Sequence, residues 1–352
     1  MSLNKKPLVS IIIPVFNREK QITNCLISIS KQTYTNFEVL IVDDGSTDKT
    51  QSVCRDWTIQ DNRFFVFHQK NKGPSAARNL GLRKSRGTYI YFVDSDDWLE
   101  PNLLEQMIKC ALATNSQVVF LQYNLISGTT RGKIANTRHI QYPSQNVLSS
   151  AETLKLLVPD KLPSFTWSFM SEKELFYTPE SIEFPDFNLM EDQAILYKLV
   201  CHAKQVGFVH EKLYNYVVED NSLLGTQSKS TEMCRSCILL AQERQDYMDS
   251  RHPELRVLTT NANMSLILTA YHILEENNNI HDRKLLKKKI KTTLREQLKH
   301  IGFKNLTIHN KIRLLFMACH LTLPAIKINK LISHTGSARK VAHFGSWPSM
   351  AR

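Results

Sequence analysis

From residue 8 to about residue 123, short apolar runs rich in β-branched and aromatic side chains alternate with stretches of helical periodicity. That alternation limits the chain more than any other feature. A strand, a helix and a further strand close most readily into a parallel sheet with helices on both faces. The expected strands are Val9–Val15, Phe37–Val42, Phe64–His68, Tyr89–Val93 and Val118–Tyr123. Their near-continuous apolar character suits strands buried on both faces, because a half-exposed antiparallel sheet would alternate. Between the first two, Ile22, Cys25, Leu26 and Ile29 recur at i, i+3, i+4 and i+7 as one apolar helix face, and Asn102–Thr114 reads as a second helix.

Polar clusters follow four of these strands: Asn17-Arg18, Asp43-Asp44-Gly45-Ser46, Asn71-Lys72-Gly73-Pro74 and Asp94-Ser95-Asp96-Asp97. In an open parallel sheet, ligands bind outside the carboxyl ends of the strands, so the four clusters are expected to converge on one cleft.

The Asp94-Ser95-Asp96-Asp97 run carries the sharpest chemistry. Three carboxylates at one strand end repel each other unless hydrated or neutralised, and a hard divalent cation (Mn²⁺ or Mg²⁺) bridging to a diphosphate neutralises them efficiently. The plainer reading makes Asp96 or Asp97 the cap of the next helix. Asp44 can accept a hydrogen bond from an imide N–H such as that of uracil, whereas a turn with a helix cap would account for the same residues. Lys72 and Arg78 are positioned to meet a nucleobase, ribose or phosphates, or to be solvated charges.

Taken together, Val9 to Asn17, Ser28 to Gln32, Val42 to Asp48, Gly73 to Gly81 and Val93 to Trp98 resemble the successive motifs of family 2 glycosyltransferases, which have the GT-A fold. The resemblance continues more loosely through Trp167 and Glu191-Asp192 to Tyr216 and Ser222, and stops before the tail. It implies that Pro14, Phe16 and Asn17 line a nucleoside pocket, and that Asp44 selects uracil. Asp96 would bind the metal, and Asp94 the ribose or a metal-bound water. Asp192 matches the family's catalytic base, with Glu191 and Trp167 orienting the base or the acceptor. Without the resemblance, Glu191-Asp192 is no more than an acidic first turn of a helix, and Trp167 as readily a core residue. The implied activity is inverting transfer of a hexose or N-acetylhexosamine from a UDP-sugar to a carbohydrate or lipid-linked glycan hydroxyl, in cell-surface polysaccharide or lipopolysaccharide assembly. A catalytically silent sugar-binding subunit of such a complex is the alternative. Two basic positions common in relatives are missing, since the chain reads Trp167-Ser168-Phe169-Met170 and Val217-Val218 there.

The expected organisation is a mostly parallel α/β catalytic domain over residues 1–225, followed by a mainly helical basic region over 226–352. Charge separates the two: residues 281–352 hold 16 Lys and Arg against 2 Asp and Glu, while residues 1–280 hold 29 against 31. Within the tail, Leu285, Leu286, Ile290, Leu294 and Leu298 form a helical stripe among lysines. Such a helix either lies on an anionic membrane surface, extended by the apolar residues up to 333, or packs in a bundle with its cations solvated. No zinc-finger, helix-turn-helix or RNP motif accompanies the charge, so nucleic acid is not the expected partner. Neither GxGxxG nor GxxxxGK[ST] occurs in the strand-to-helix turns, which disfavours dehydrogenases and P-loop enzymes. Seven scattered cysteines suit a reducing cytosol, with Cys234 and Cys237 read as packing thiols, and a peripheral position at the inner face of the cell membrane follows if the tail binds lipid. Residues 124–163 are weakly patterned, with room for a hairpin.

Overall fold

The computed structural model describes residues 6–127, 132–134, 140, 142–186, 189–218, 230–277 and 280–318. The chain divides into two compact units, one drawn from residues 1–154 and 162–220, the other from 155–161 and 221–352. Expectations for Ser222, for Cys319 and for the apolar tail 321–332 lie outside the described residues.

In the first unit the elements run β1 (Val9–Val15), α1 (Ile22–Ser30), β2 (Phe37–Asp43), α2 (Thr50–Gln60), β3 (Phe64–His68), α3 (Pro74–Lys84) and β4 (Tyr89–Phe92). Next come β5 (Trp98–Leu99), α4 (Leu103–Thr114), β6 (Val118–Ser127), β7 (Lys133–Ile134), β8 (Val147–Ser149) and α5 (Ser150–Leu157), which reaches the unit boundary. After these, β9 (Phe169–Glu172), α6 (Glu191–His202) and β10 (Gln205–Val218) complete it. The strands form one sheet in the order β3-β2-β1-β4-β9-β6-β10-β5, with β7 on β6 and β8 on β10. Its first half is parallel, as the apolar runs require. Beyond β4 the sheet is mixed: β9 runs antiparallel between β4 and β6, whereas β10 is parallel to β6.

The five expected strands are present, and β1, β2 and β4 are buried along almost their whole length. Pro14 sits in a central strand at little cost. The last β1–β4 pair is Ile12↔Phe92, so the missing N–H of Pro14 lies beyond the end of β4. There β1 and β4 part, and because the strand order reverses at this point, their carboxyl ends frame a crevice. Helix α3 is drawn close to β1, since a Cβ at Gly81 would stand 2.4 Å from Ile12 Cγ2. Segment 124–163 continues β6 to Ser127 and pairs it with β7, a short antiparallel excursion.

The second unit is helical: α7 (Thr231–Arg251), α8 (Arg256–Glu276), α9 (Arg283–Ile301) and α10 (Ile308–Ala318). Ser230 caps α7 by accepting a hydrogen bond from Met233 N at 3.1 Å. Cys234 and Cys237 are buried on α7, where Cys234 Sγ donates to the Ala270 carbonyl at 3.4 Å. Helix α9 packs on α8 and α7. Its Leu286, Ile290 and Leu294 are buried, whereas Leu285 is exposed. Of the two readings of this stripe, packing within the unit accounts for Leu286, Ile290 and Leu294, while Leu285 and most of the cations stay exposed.

Candidate active site

Three loops are laced together at the carboxyl edge of β1, β2 and β3. After β1, Asn17 adopts a positive φ of 52°, its N donates to Ser46 Oγ at 3.0 Å and its Oδ1 accepts from Thr47 N at 2.8 Å. Arg18 N donates to Thr50 Oγ1 at 2.8 Å, which ties the same loop to the start of α2. Asp44, 4% exposed, joins the third loop: Oδ1 accepts from Lys72 N at 2.8 Å and Gln69 Nε2 at 2.7 Å, and Oδ2 from Gly73 N at 2.8 Å. Gly45 permits this approach, with φ +78° and space for a Cβ only 2.8 Å from Asn71 N. Three of the roughly four acceptor sites of the Asp44 carboxylate are thus taken by described residues of its own chain. Phe16 projects from this edge at 41% exposure, Pro14 is partly exposed beside it, and the Lys72 side chain is solvated.

The turn after β4 is held from behind. Asp97, 1% exposed, accepts from Tyr214 Oη at 2.6 Å and Val217 N at 2.7 Å, both on β10. Burial, then the charges of Asp96 and Asp94, push its pKa well above the usual carboxylate range. It caps no helix, because α4 begins after Asn102 with no side-chain cap. The Asp94 and Asp96 side chains stay 31% and 27% exposed. Each meets an arginine: Arg78 Nη2 to Asp94 Oδ1 at 3.3 Å, and Arg18 Nε to Asp96 Oδ2 at 3.6 Å.

Arg78 joins this turn to the next cluster. On the buried face of α3 it donates through Nη1 to Glu191 Oε1 at 2.8 Å, at the first residue of α6. Its side chain is 8% exposed and its Nε has no hydrogen-bond partner among the described residues. Burial pulls its pKa down, but the Glu191 and Asp94 charges more than offset this and leave it raised. Arg78, expected near the nucleotide, braces two acidic clusters, because the inner face of α3 turns it into the sheet edge. Asp192 follows on the same first turn, half-buried. Its pKa is raised to about 8, chiefly by burial and then by Glu191, with the Arg78 charge opposing. Its own Oδ1 accepts from Gln193 N at 2.7 Å.

Trp167, expected to meet or orient an acceptor, is a core residue, 1% exposed. Its ring stacks on Tyr214 at 4.4 Å and on Phe165 at 4.8 Å, and meets Tyr123 edge-on at 4.9 Å, so its faces are already covered. The sequence places Arg18 and Asp97 in strand-end clusters but gives Arg18 no partner, Asp97 no role beyond a helix cap, and Tyr214 no role at all. Arg18 was detectable from its place at a strand end, but Tyr214 lies 120 residues from Asp94 and carried no local signal.

Among the described residues no three His, Cys, Asp or Glu side chains are grouped to enclose a metal ion. The two part-exposed carboxylates of Asp94 and Asp96 are of the kind that could hold an ion completed by substrate phosphates and water. The residues fit a shared cation and not a caged one.

A family model described as glycosyl transferase family 2 matches residues 10–176. Glycosyltransferase GlyG of Streptococcus pneumoniae serotype 4 is 30% identical over 62% of this chain and 74% of its own length. The chain belongs to glycosyltransferase family 2. EpsH of Bacillus subtilis is 32% identical over 63% of this chain, but the match spans only 64% of that relative. Among solved structures, S. aureus TarS 1-349 in complex with UDP-GlcNAc superposes with a TM-score of 0.59 at 18% identity, covering 89% of this chain and 92% of that one. The mannosyltransferase PcManGT from Pyrobaculum calidifontis, in complex with GDP-Man and Mn²⁺, gives 0.52 at 16% identity over 85% and 86%. At these identities the two structures establish the fold, which is the GT-A arrangement of the family.

Proposed function

We propose that the chain transfers a hexose or N-acetylhexosamine from a UDP-sugar to a carbohydrate or lipid-linked glycan hydroxyl, with inversion at the anomeric carbon. One observation carries the reading: Arg78 links the Asp94 turn and the Glu191-Asp192 start of α6 at 3.3 and 2.8 Å, so two acidic groups suited to different tasks share one sheet edge. The UDP-GlcNAc complex of TarS supports a uridine nucleotide, whereas PcManGT carries GDP-Man, so the choice of base belongs to Asp44 and its loops.

In this reading Phe16, Pro14 and Asn17 receive the nucleoside, with Asp44 accepting from the uracil imide and Lys72 near the phosphates. Asp96, with Asp94, would hold a divalent cation, Mn²⁺ or Mg²⁺, which supplies Lewis-acid neutralisation of the leaving diphosphate when bound. A sugar hydroxyl is a poor nucleophile at neutral pH, so proton removal must accompany attack. Asp192 takes that proton as the acceptor oxygen bonds to C1, and the bond from C1 to the diphosphate oxygen breaks with its electron pair staying on the phosphate. A base whose pKa stands near the working pH is well matched to this task. Glu191 raises that basicity, and Arg78 keeps the two acids from repelling each other apart.

Calorimetric titration of UDP with and without Mn²⁺, alongside a transfer assay, tests the proposal. Asp96→Asn is expected to abolish transfer and the metal-dependent part of UDP binding; Asp192→Asn is expected to abolish transfer with UDP binding intact. Metal-independent UDP binding that Asp96→Asn leaves unchanged would overturn the assignment. UDP binding by the unmodified chain without transfer to any acceptor would favour the silent-subunit alternative.

The setting proposed is surface polysaccharide or lipopolysaccharide assembly, with the exposed Lys284, Lys288, Lys289, Lys291, Arg295 and Lys299 of α9 facing an anionic membrane surface. No helix among the described residues is long and apolar enough to cross a membrane.

A further inference from the structure

We propose that Tyr214 is a positioning residue that sets the Asp94–Asp97 turn in the shape needed to receive a cation and diphosphate. The role presupposes the donor-binding reading of Asp94 and Asp96.

Tyr214 is wholly buried, and its hydroxyl is bonded to both ends of the turn: it donates to Asp97 Oδ2 at 2.6 Å and accepts from Asp94 N at 3.3 Å. Two residues further along β10 from Asn215, Val217 N donates to Asp97 Oδ1 at 2.7 Å. The turn closes on itself through Asp97 N to Asp94 O at 3.2 Å. The chain that leaves it is then stitched to the same strand, by the pairs Leu99↔Tyr214 and Trp98↔Asn215 and by Glu100 N to Leu213 O at 2.8 Å. One strand therefore fixes where the turn begins and where it ends.

The position of the hydroxyl is itself fixed. The Tyr214 ring lies on Trp167 with centroids 4.4 Å apart and planes 3° apart, and Trp167 is backed by Phe165 and Tyr123. A ring seated on such a platform has little rotational freedom, so its oxygen is held ready for the turn. The consequence for the acidic residues is a division of labour. Asp97 is drawn inward to 1% exposure, while the Asp94 and Asp96 side chains keep 31% and 27%. Three carboxyl groups in four residues would otherwise favour a splayed turn through mutual repulsion. Trp167 thus serves the donor site through Tyr214, although it is buried from any acceptor.

The test is calorimetric UDP binding over a Mn²⁺ series, with thermal unfolding of the same samples. Tyr214→Phe removes one oxygen and keeps the stacked ring. It is expected to raise the Mn²⁺ concentration for half-maximal UDP binding about ten-fold, the scale of one buried hydrogen bond, and to leave metal-free UDP binding unchanged. Trp167→Leu removes the platform and keeps the hydroxyl; it is expected to lower the unfolding temperature more than Tyr214→Phe while moving the Mn²⁺ requirement less. If the two variants shift the Mn²⁺ requirement in proportion to their loss of stability, Tyr214 is only a core residue and the proposal fails. An unchanged Mn²⁺ requirement in Tyr214→Phe also overturns it. If the unmodified chain shows no Mn²⁺ effect at all, it is the donor-binding reading of Asp94 and Asp96 that falls.

Discussion

Asp44 and Asp192 are carboxyl groups in opposite circumstances, and their substitutions should behave differently. Asp44 is surrounded by N–H donors from Gln69, Lys72 and Gly73. Asp44→Asn turns an acceptor into an NH₂ group facing one of those donors. It should cost about 1–3 kcal/mol of stability, from a buried amide left unsatisfied, and should weaken UDP binding as the three loops separate; denaturant unfolding and calorimetry measure the two effects. Asp192 has a pKa of about 8, raised first by burial and then by Glu191. The active form of a base is deprotonated, so transfer should rise with pH and level off above about 8. Glu191→Gln removes the charge that helps raise this pKa and should move the rising limb toward acid. Arg78→Gln removes the opposing cation and should move it toward alkali. Rate profiles of the two variants that shift in the same direction would contradict the assignment of Asp192 as the base.

At the scale of elements, the site depends on how closely helix and strand approach. Gly81→Ala would bring a Cβ to 2.4 Å from Ile12 Cγ2, on a β-branched side chain in the sheet centre that cannot swing aside. Overpacking of this kind costs about 1–3 kcal/mol, and because α3 carries Arg78, the Asp94–Glu191 bridge should loosen as well; unfolding and transfer assays on the variant would show both losses. Elements also differ in how well the sequence announces them. Strands β1, β2 and β4 are short apolar runs buried on both faces, and burial of that kind is written directly into composition. Strand β10 was hidden. Its fourteen residues include exposed His210, Glu211 and Lys212, where the pairing with β6 slips register between Val209 and Lys212 and again before Tyr214. A bulged strand with a polar middle gives no period of two. The four-residue strand β9 is too short for pattern to separate it from a loop.

At the scale of the whole molecule, the uneven charge acquires a location. On α9 most of the apolar stripe is buried and most of the lysines are exposed, so attraction to an anionic surface would act chiefly through charge, about 1 kcal/mol per cation at low salt. Reversing Lys284, Lys288, Lys291 and Arg295 to Glu in the full chain should abolish flotation with vesicles containing anionic lipid, and leave transfer to a soluble acceptor unchanged. Flotation that survives the reversal, or resists raised salt, would rule out this surface. The sequence by itself determined the parallel half of the sheet, the four polar loops at one edge, and the residue types on offer there, because strand burial and turn chemistry are local. It did not determine which acid is drawn inward, that Arg78 braces two clusters, or that Trp167 lies beneath the site. Those depend on strand β10 and helix α6 returning from more than 90 residues downstream of Asp94, and contacts over such separations are decided by packing, which no local pattern encodes.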